Sequence, residues 1–150
     1  EEAIKKHKTV TWPTDDDVLN SVKSRPLYGS GVTNYFLLEY DRSLGGDQPS
    51  DVPWVEHILP DKPDPAWYLV FNRQEHESLK DTLPNLIPLS RQMNQHLSNK
   101  PFKEKVNSYL KDSMFKSARD LGGTYKDWNM ISLKDRADVL AEWAIKRWKG

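Results

Sequence analysis

The sequence contains no cysteine, and this absence excludes several kinds of chemistry. Disulfide bonds, thiolate zinc sites and cysteine nucleophiles all need a residue that the chain does not have. Long hydrophobic runs are lacking too, since no apolar stretch approaches the roughly 20 residues that a membrane-spanning helix needs. With 150 residues, of which 37% are hydrophobic, the chain is long enough to bury a core of its own. We therefore expect a single soluble domain.

The chain also lacks an overall excess of one charge, because 22 basic residues are balanced by 22 acidic ones. The balance changes along the sequence: residues 1–90 contain 9 Lys or Arg and 15 Asp or Glu, whereas residues 91–150 contain 13 and 7. The two parts therefore carry formal charges of −6 and +6. The basic part could face a polyanion, but an ordinary solvated surface explains the same counts, so charge alone assigns no function.

An initiator methionine and a signal-like apolar segment are both missing from the N terminus, which begins Glu1-Glu2-Ala3-Ile4. The natural protein is therefore expected to extend further in the N-terminal direction, and this chain to be one domain of it. The absence of cysteine fits either redox compartment, and the cytoplasm is the default expectation.

Residues 1–50 have the features of a helical segment. Thr14 precedes three aspartates, which predicts a capped helix that continues to about Ser24. After the turn at residues 29–31, apolar residues recur at helical spacing and predict a second helix, which ends at residues 45–46.

The middle of the chain, about residues 52–99, predicts two strands followed by a helix. Trp54–Leu59 is a compact apolar run, and Asn85–Leu89 is a second short strand. Residues 61–84 between them form a polar loop with a helical stretch, and loops of this length are often functional. Ser90 then caps a helix.

Residues 101–150 predict further helices. One begins at Pro101-Phe102, Gly122-Gly123 is expected to break the chain, and Ser132 is expected to start the last helix. The predicted fold class is α+β, a mainly α-helical domain around one two-stranded hairpin.

Three motifs occupy residues 56–60, 84–90 and 94–105. They are Glu-His-Ile-Leu-Pro, Pro-Asn-Leu-Ile-Pro-Leu-Ser, and Asn-Gln-His-Leu-Ser-Asn-Lys-Pro-Phe-Lys-Glu-Lys. This arrangement of strand, loop, strand and helix resembles an HNH (His-Asn-His) nuclease. More closely, it resembles the C-terminal nuclease domain of GmrSD-type restriction endonucleases. Residues 25–28 and the tryptophan-containing final helix fit that family too, so the resemblance covers nearly the whole chain.

The resemblance implies a single HNH nuclease domain over residues 1–150. Its ββα-metal core would span about residues 52–99, between a helical part at 1–50 and C-terminal helices at 101–150. The implied activity is a DNA endonuclease that depends on Mg²⁺ or Mn²⁺, part of a restriction and anti-phage defence system in the bacterial cytoplasm. Such systems act on modified DNA, phosphorothioate-marked DNA among them.

The resemblance also implies a partner, an N-terminal ParB-like NTPase or sensor domain in the same protein or on a separate subunit. The chain has no glycine-rich loop that could cradle nucleotide phosphates, so this sensing is expected outside it.

The residue types in these motifs suit the hydrolysis of a phosphodiester. An imidazole with an ordinary pKa of about 6.5 can accept a proton from water near neutral pH, so His57 is the expected general base. Glu56 and Asn94 carry hard oxygen ligands and match the family's metal positions. Asn85 corresponds to the middle residue of the pattern, with a positional role in catalysis.

Two of these assignments have competitors in the sequence. Asn94 and His96 are about 200° apart around a helix, so both cannot reach one ion, and we choose Asn94. Adjacent strand residues point to opposite faces, so Glu56 can share a site with His57 only if the strand bends or ends there. Asp61 and Asp64 are the alternative carboxylates.

Basic residues after the second strand are expected to contact DNA phosphates, where the electrostatic attraction falls with salt. These residues are Arg91, Lys100 and Lys103, with Lys105 beside them. An ordinary solvated helix face is the other interpretation. His7 and His76 match no motif and are expected at the surface.

Two other classes of function remain open on the sequence. A non-catalytic DNA-binding or subunit-docking module could retain the hairpin for its structure, and an RNA-directed nuclease could use the same site. Nicking or double-strand cleavage is equally open, because one ββα site cuts one strand at a time.

Overall fold

The computed structural model describes residues 14–47, 49 and 52–148, and it confirms the α+β class. Seven α-helices and a two-stranded antiparallel sheet make up this part of the chain. The helices are α1 Asp15–Ser24, α2 Gly31–Ser43, α3 Arg73–Leu79, α4 Arg91–Leu97, α5 Phe102–Asp112, α6 Lys116–Thr124 and α7 Met130–Arg147; the strands are β1 Trp54–His57 and β2 Leu86–Leu89. Short 3₁₀ helices lie at Pro65–Leu69 and Leu83–Asn85.

Side-chain caps start the first two helices, and the cap of the first lies where the sequence predicts. The Thr14 hydroxyl accepts a hydrogen bond from the Asp17 amide at 3.1 Å, and the Asp17 carboxylate accepts one from the Thr14 amide at 3.0 Å. This reciprocal capping box satisfies two amides that the helix leaves unpaired. At α2 the Ser30 hydroxyl accepts from the Val32 amide.

The prediction that Gly122-Gly123 breaks the chain is wrong, because both glycines lie inside α6. A Cβ atom on Gly122 would lie 3.0 Å from the backbone nitrogen of Leu110, so glycine here allows α5 and α6 to approach each other closely. The last helix also starts earlier than predicted, at Met130, because Asn129 rather than Ser132 supplies the cap.

Both strands of the hairpin are shorter than predicted. Strand β1 ends at His57, since Ile58 and Leu59 turn inward and their amides donate to the backbone and side-chain oxygens of Asn85. Asn85 itself ends a 3₁₀ helix before β2 begins. In the sheet, Glu56 pairs with Ile87 and His57 with Leu86.

Strand β2 lies between two hydrophobic clusters and all four of its residues are buried. Ile87 and Leu89 belong to the cluster that includes α5, α6 and the 61–84 segment, whereas Leu86 packs with α1, α2 and α7. A strand buried on both faces anchors the hairpin in the domain, so the end of β1 is held by the core.

A buried arginine fixes the chain just before β2. Arg136 of α7 is 4% exposed, and its guanidinium donates to the carbonyl oxygens of Leu83, Pro84 and Leu86 at 3.2, 2.7 and 2.8 Å. Burial lowers the pKa of Arg136 to about 10, still well above neutrality. Among the helices of the described chain, none is long and apolar enough to cross a lipid bilayer.

Candidate active site

A cleft of about 250 Å³ opens at the end of β1. Its lining residues are Tyr28, Val55, Glu56, His57, Pro60, Asp61, Lys62, Asn94, Ser98 and Asn99. The cleft therefore brings together three of the residues predicted from the sequence, His57, Glu56 and Asn94. The early end of β1 lets two adjacent residues of one strand line the same cleft.

His57 is held between an aromatic ring and a carboxylate. Its Nε2 lies 2.8 Å from Oδ1 of Asp81, and its ring centroid lies 4.2 Å from that of Tyr28. Only 11% of the His57 side chain is exposed. Burial lowers the pKa of His57 below its ordinary value, although the hydrogen bond that the ring donates to Asp81 works in the opposite direction. The imidazole is therefore neutral near pH 7, with its proton on Nε2 toward Asp81 and its lone pair on Nδ1.

Asp81 is a functional candidate that the sequence did not reveal. Besides His57, it contacts Lys80, whose Nζ donates to Oδ2 of Asp81 and Oδ1 of Asp61, both at 2.8 Å. Burial works to raise the pKa of Asp81, but hydrogen bonds from Lys80 and His57 outweigh it and lower the pKa. Asp81 is therefore a fixed negative charge beside His57. No spacing rule links residues 57 and 81, so only the fold could pair them.

Asn85 holds together the backbone that surrounds His57. Its side-chain nitrogen donates to the carbonyl oxygens of Leu59 and Lys80 at 2.9 and 2.8 Å, and its oxygen accepts from the Leu59 amide and the Trp128 indole at 2.8 and 3.0 Å. Asn85 is fully buried, so it cannot touch a substrate. Asn85 is therefore a positioning residue. It can affect catalysis only by holding the backbone around His57.

Glu56 lies on the buried wall of the cleft and has three polar partners. Its Oε1 accepts from the Asn94 amide at 3.1 Å, its Oε2 accepts from the Tyr109 hydroxyl at 2.8 Å, and Lys105 Nζ lies 3.3 Å from Oε2. Burial raises the pKa of Glu56, while Lys105, Tyr109 and Asn94 oppose that shift. These contacts hold the Glu56 carboxylate and the side-chain amide of Asn94 next to each other in the cleft that His57 also lines.

Glu56 and Asn94 carry the oxygen atoms in the cleft that could hold a magnesium ion. Mg²⁺ usually retains several waters and binds one or two protein oxygens plus substrate phosphates. Oε1 of Glu56 faces Asn94, and turning the Asn94 amide would present its oxygen at the same place. In the described part of the chain, no group of three or more His, Cys, Asp and Glu side chains is arranged to hold a metal. A metal ion at this place would have Glu56 and Asn94 as its protein ligands, and water or substrate would have to supply the rest of its coordination shell.

Of the two alternative carboxylates, only one is near His57. Asp61 lines the cleft and is paired with Lys80, whose hydrogen bond lowers the pKa of Asp61. Asp64 instead caps the 3₁₀ helix by accepting from the Ala66 amide at 3.0 Å. His96 is exposed on the other flank of α4, where Lys100 Nζ lies 3.5 Å from its ring, so the structure puts Asn94 and not His96 at the cleft.

The predicted phosphate contacts divide into surface and core residues. Arg91 and Lys103 are exposed and Lys100 is partly exposed, so all three can reach a ligand. The expectation for Lys105 is wrong, because its side chain is fully buried and donates to the carbonyl oxygens of His57 and Ile58 at 3.0 and 3.3 Å. Lys105 thus supports the turn that follows β1.

The prediction that His76 lies at the surface is also wrong. His76 is 6% exposed, its Nε2 lies 2.8 Å from the carbonyl oxygen of Pro60, and its ring packs against Tyr68. His76 therefore ties α3 to the segment that forms one wall of the cleft. His7 lies outside the described residues.

Of three comparisons with known proteins, only the comparison with protein-family models finds a match. No curated protein and no solved structure matches the chain. The family model for GmrSD restriction endonucleases, C-terminal domain, matches residues 12–143. This match covers most of the chain, including every residue of the cleft. The chain therefore belongs to the family of GmrSD restriction endonuclease C-terminal domains.

Proposed function

We propose that this domain is a metal-dependent HNH endonuclease that hydrolyses DNA, with His57 as its general base. Family membership supports nuclease activity in general. The observation that carries the finer assignment is the pairing of His57 with Asp81 at 2.8 Å, in a cleft that also contains Glu56 and Asn94. A neutral imidazole held by a carboxylate is the arrangement that general-base catalysis needs.

In the proposed mechanism His57 takes a proton from the attacking water through Nδ1. Nε2 keeps its own proton and donates it in a hydrogen bond to Asp81, so the imidazolium that forms faces a negative charge. The Tyr28 ring and the Asp81 carboxylate together fix the plane of the imidazole before substrate arrives. Little reorganisation is then required at the moment of proton transfer.

Glu56 and Asn94 are the proposed ligands of a Mg²⁺ or Mn²⁺ ion. When bound, such an ion polarises the scissile phosphate and stabilises the charge on the leaving oxygen. Lys105 and Tyr109 contact Oε2 of Glu56 and thereby hold Oε1 toward the cleft. Hydrolysis would leave 5′-phosphate and 3′-hydroxyl ends.

The proposed substrate is DNA, contacted by the surface residues Arg91, Lys100 and Lys103. We place the activity in a bacterial cytoplasmic restriction system directed against phage DNA. The recognition of modified DNA is assigned to a ParB-like NTPase or sensor domain outside this chain.

Conversion of supercoiled plasmid tests the proposal. Purified protein with Mg²⁺ or Mn²⁺ is expected to give nicked or linear DNA, EDTA should stop the reaction, and His57→Ala should lower the rate at least about 10²-fold. His96→Ala is the matched control, because this histidine lies outside the cleft. Asn94→Ala should also be inactive, with DNA binding retained.

Three outcomes would decide among the alternatives. Cleavage that is equally fast in His57→Ala would refute the general-base assignment. Metal-independent DNA binding without cleavage, also in the presence of the N-terminal partner, would favour the non-catalytic module. Preferential cleavage of RNA over DNA by the same His57-dependent site would favour the RNA-directed nuclease.

A further inference from the structure

Two residues that line the cleft have no part in the mechanism above. They are Lys62, in the segment that follows β1, and Ser98, which directly follows α4. Both residues are exposed, and both line the same cleft as His57. A phosphate that reaches a water molecule beside His57 therefore enters the space that Lys62 and Ser98 border.

Lys62 differs from the other charged residues of the cleft in its ion pairing. The Glu56 carboxylate is paired with Lys105 at 3.3 Å, and the Asp61 carboxylate is paired with Lys80 at 2.8 Å. Lys62 forms no salt bridge with any residue of the described chain. Its positive charge is therefore not neutralised within the cleft, and a phosphodiester carries the negative charge that would neutralise it.

Ser98 has a backbone conformation that serine rarely adopts. Its φ is 41° and its ψ is −122°, and within the described chain it is the one non-glycine residue with a positive φ. The Leu97 carbonyl oxygen accepts from the Lys100 amide at 3.0 Å, so Ser98 occupies the first central position of a four-residue turn. These angles are those of a type II′ turn, which favours glycine at this position. A Cβ atom here is therefore a source of backbone strain.

No internal contact of the described chain offsets this strain, because the Ser98 hydroxyl forms no hydrogen bond with another described residue. The Ser98 amide donates to the Asn94 carbonyl oxygen at 3.1 Å, so the strained turn begins one helical turn after a proposed metal ligand. Residues in rarely populated backbone conformations concentrate at functional sites. A serine hydroxyl can donate a hydrogen bond to a phosphate oxygen, which glycine cannot do.

We propose that Lys62 and Ser98 form the phosphate-binding subsite of the cleft. The Lys62 ammonium neutralises the charge of the phosphodiester, and the Ser98 hydroxyl donates a hydrogen bond to one of its non-bridging oxygens. This proposal rests on the function proposed above, since it names two residues that bind the substrate of that site. Neither residue takes part in the proton transfer assigned to His57.

The test measures DNA binding, so it does not depend on cleavage. The His57→Ala protein is titrated by fluorescence anisotropy with a labelled DNA duplex, once in EDTA and once in Mg²⁺. Adding Lys62→Ala should weaken binding about tenfold, as expected for a hydrogen bond to a charged group. It should also reduce the slope of log K against log salt by about 1, whereas Lys62→Arg should keep the slope. Lys134→Ala is the control, because this lysine is exposed and does not line the cleft.

Two variants of Ser98 separate the hydroxyl from the turn. Ser98→Ala removes the hydroxyl and keeps the strained Cβ atom, whereas Ser98→Gly removes both. Each should weaken binding about tenfold without changing the salt slope, because a neutral donor to the phosphate is lost. Ser98→Gly should raise Tm by about 2–4 °C through relief of strain, and Ser98→Ala should leave Tm unchanged. A serine that served only the turn would give the same rise in Tm with no loss of binding.

The outcomes separate this proposal from the proposed function. Unchanged affinity in Lys62→Ala, or in Ser98→Ala, under both metal conditions would overturn the subsite, even if the plasmid is cut. Weaker binding in Lys62→Ala and in both Ser98 variants would support it. If plasmid cleavage failed while these losses of binding were observed, only the nuclease assignment would fall.

Discussion

At the scale of single residues, the site depends on contacts that surround His57. Asp81 supplies the negative charge, Tyr28 supplies an aromatic ring, and Asn85 fixes the backbone at Leu59 and Lys80. Each of these contacts limits the orientation of one imidazole, and a general base must reach its proton within hydrogen-bond distance. The consequences of removing them should therefore appear in catalysis rather than in DNA affinity.

Asp81→Asn is expected to lower the cleavage rate by about 10²- to 10⁴-fold, because an amide can hold the wrong imidazole tautomer and does not stabilise the imidazolium. Single-turnover cleavage of a labelled duplex measures the rate, and anisotropy measures binding, which should change less than about twofold by the same argument. Asp112→Asn, an exposed position on α5, is the control. A variant at Asp81 that cuts as fast as the wild type would remove this residue from the mechanism.

Lys105 is the residue whose loss should most affect stability. Lys105→Met would leave the buried Glu56 carboxylate without its cation, at a cost of about 3–5 kcal/mol in the free energy of unfolding. Adding Glu56→Gln removes the unpaired charge, so the double variant should recover part of that loss. Urea denaturation of the two single variants and the double variant measures the coupling. Additive effects would show that the two side chains do not interact.

At the scale of elements, the two glycines of α6 occupy different environments in the same helix. A Cβ on Gly122 would meet backbone atoms of Leu110 and Val106 at 3.0 and 3.2 Å, whereas a Cβ on Gly123 would meet only the end of the Leu110 side chain at 3.7 Å. Backbone cannot move aside easily, but a contact of 3.7 Å is ordinary packing.

Alanine at these two positions should therefore have opposite effects. Gly123→Ala is expected to stabilise the protein by about 0.5–1 kcal/mol, the usual gain in helix propensity. Gly122→Ala gains the same propensity but must separate α5 from α6, and we expect a net loss of about 1–3 kcal/mol. Thermal unfolding of both variants makes the comparison. Equal stabilisation by both would mean that the α5–α6 approach does not need glycine.

At the scale of the whole molecule, strand β2 and Arg136 connect the two hydrophobic clusters on which the cleft depends. β2 is buried on both faces, and Arg136 bonds three carbonyl oxygens just before and within it. Glu56 and His57 pair with β2 in the sheet, so a change in either cluster reaches the cleft through the backbone. This coupling explains why so small a sheet can position a site.

The distribution of charge over the whole molecule predicts how DNA binding responds to salt. If Arg91 and Lys103 each neutralise one phosphate, replacing either with Ala should reduce the slope of log K against log salt by about 1. Lys134→Ala, an exposed change on α7, is the control and should leave the slope unchanged. Titrations between about 50 and 200 mM salt cover the informative range. Slopes that stay the same in Arg91→Ala and Lys103→Ala would remove both residues from the interface.

Local sequence alone determined the helix starts at Thr14 and Ser90, the order of strand, loop, strand and helix, and the motif that contains His57. These features depend on neighbouring residues, through caps, side-chain periodicity and motif spacing, so they can be predicted from nearby positions.

Only the tertiary structure decided which distant residues complete the site. Asp81 lies 24 residues from His57 and Lys105 lies 48, and no periodicity relates them. Packing also put Lys105 and His76 in the interior and kept Gly122 inside a helix, against what their residue types predict. The physical reason is that burial and partner choice depend on contacts between segments far apart in the chain, whereas caps and periodicity depend on neighbours.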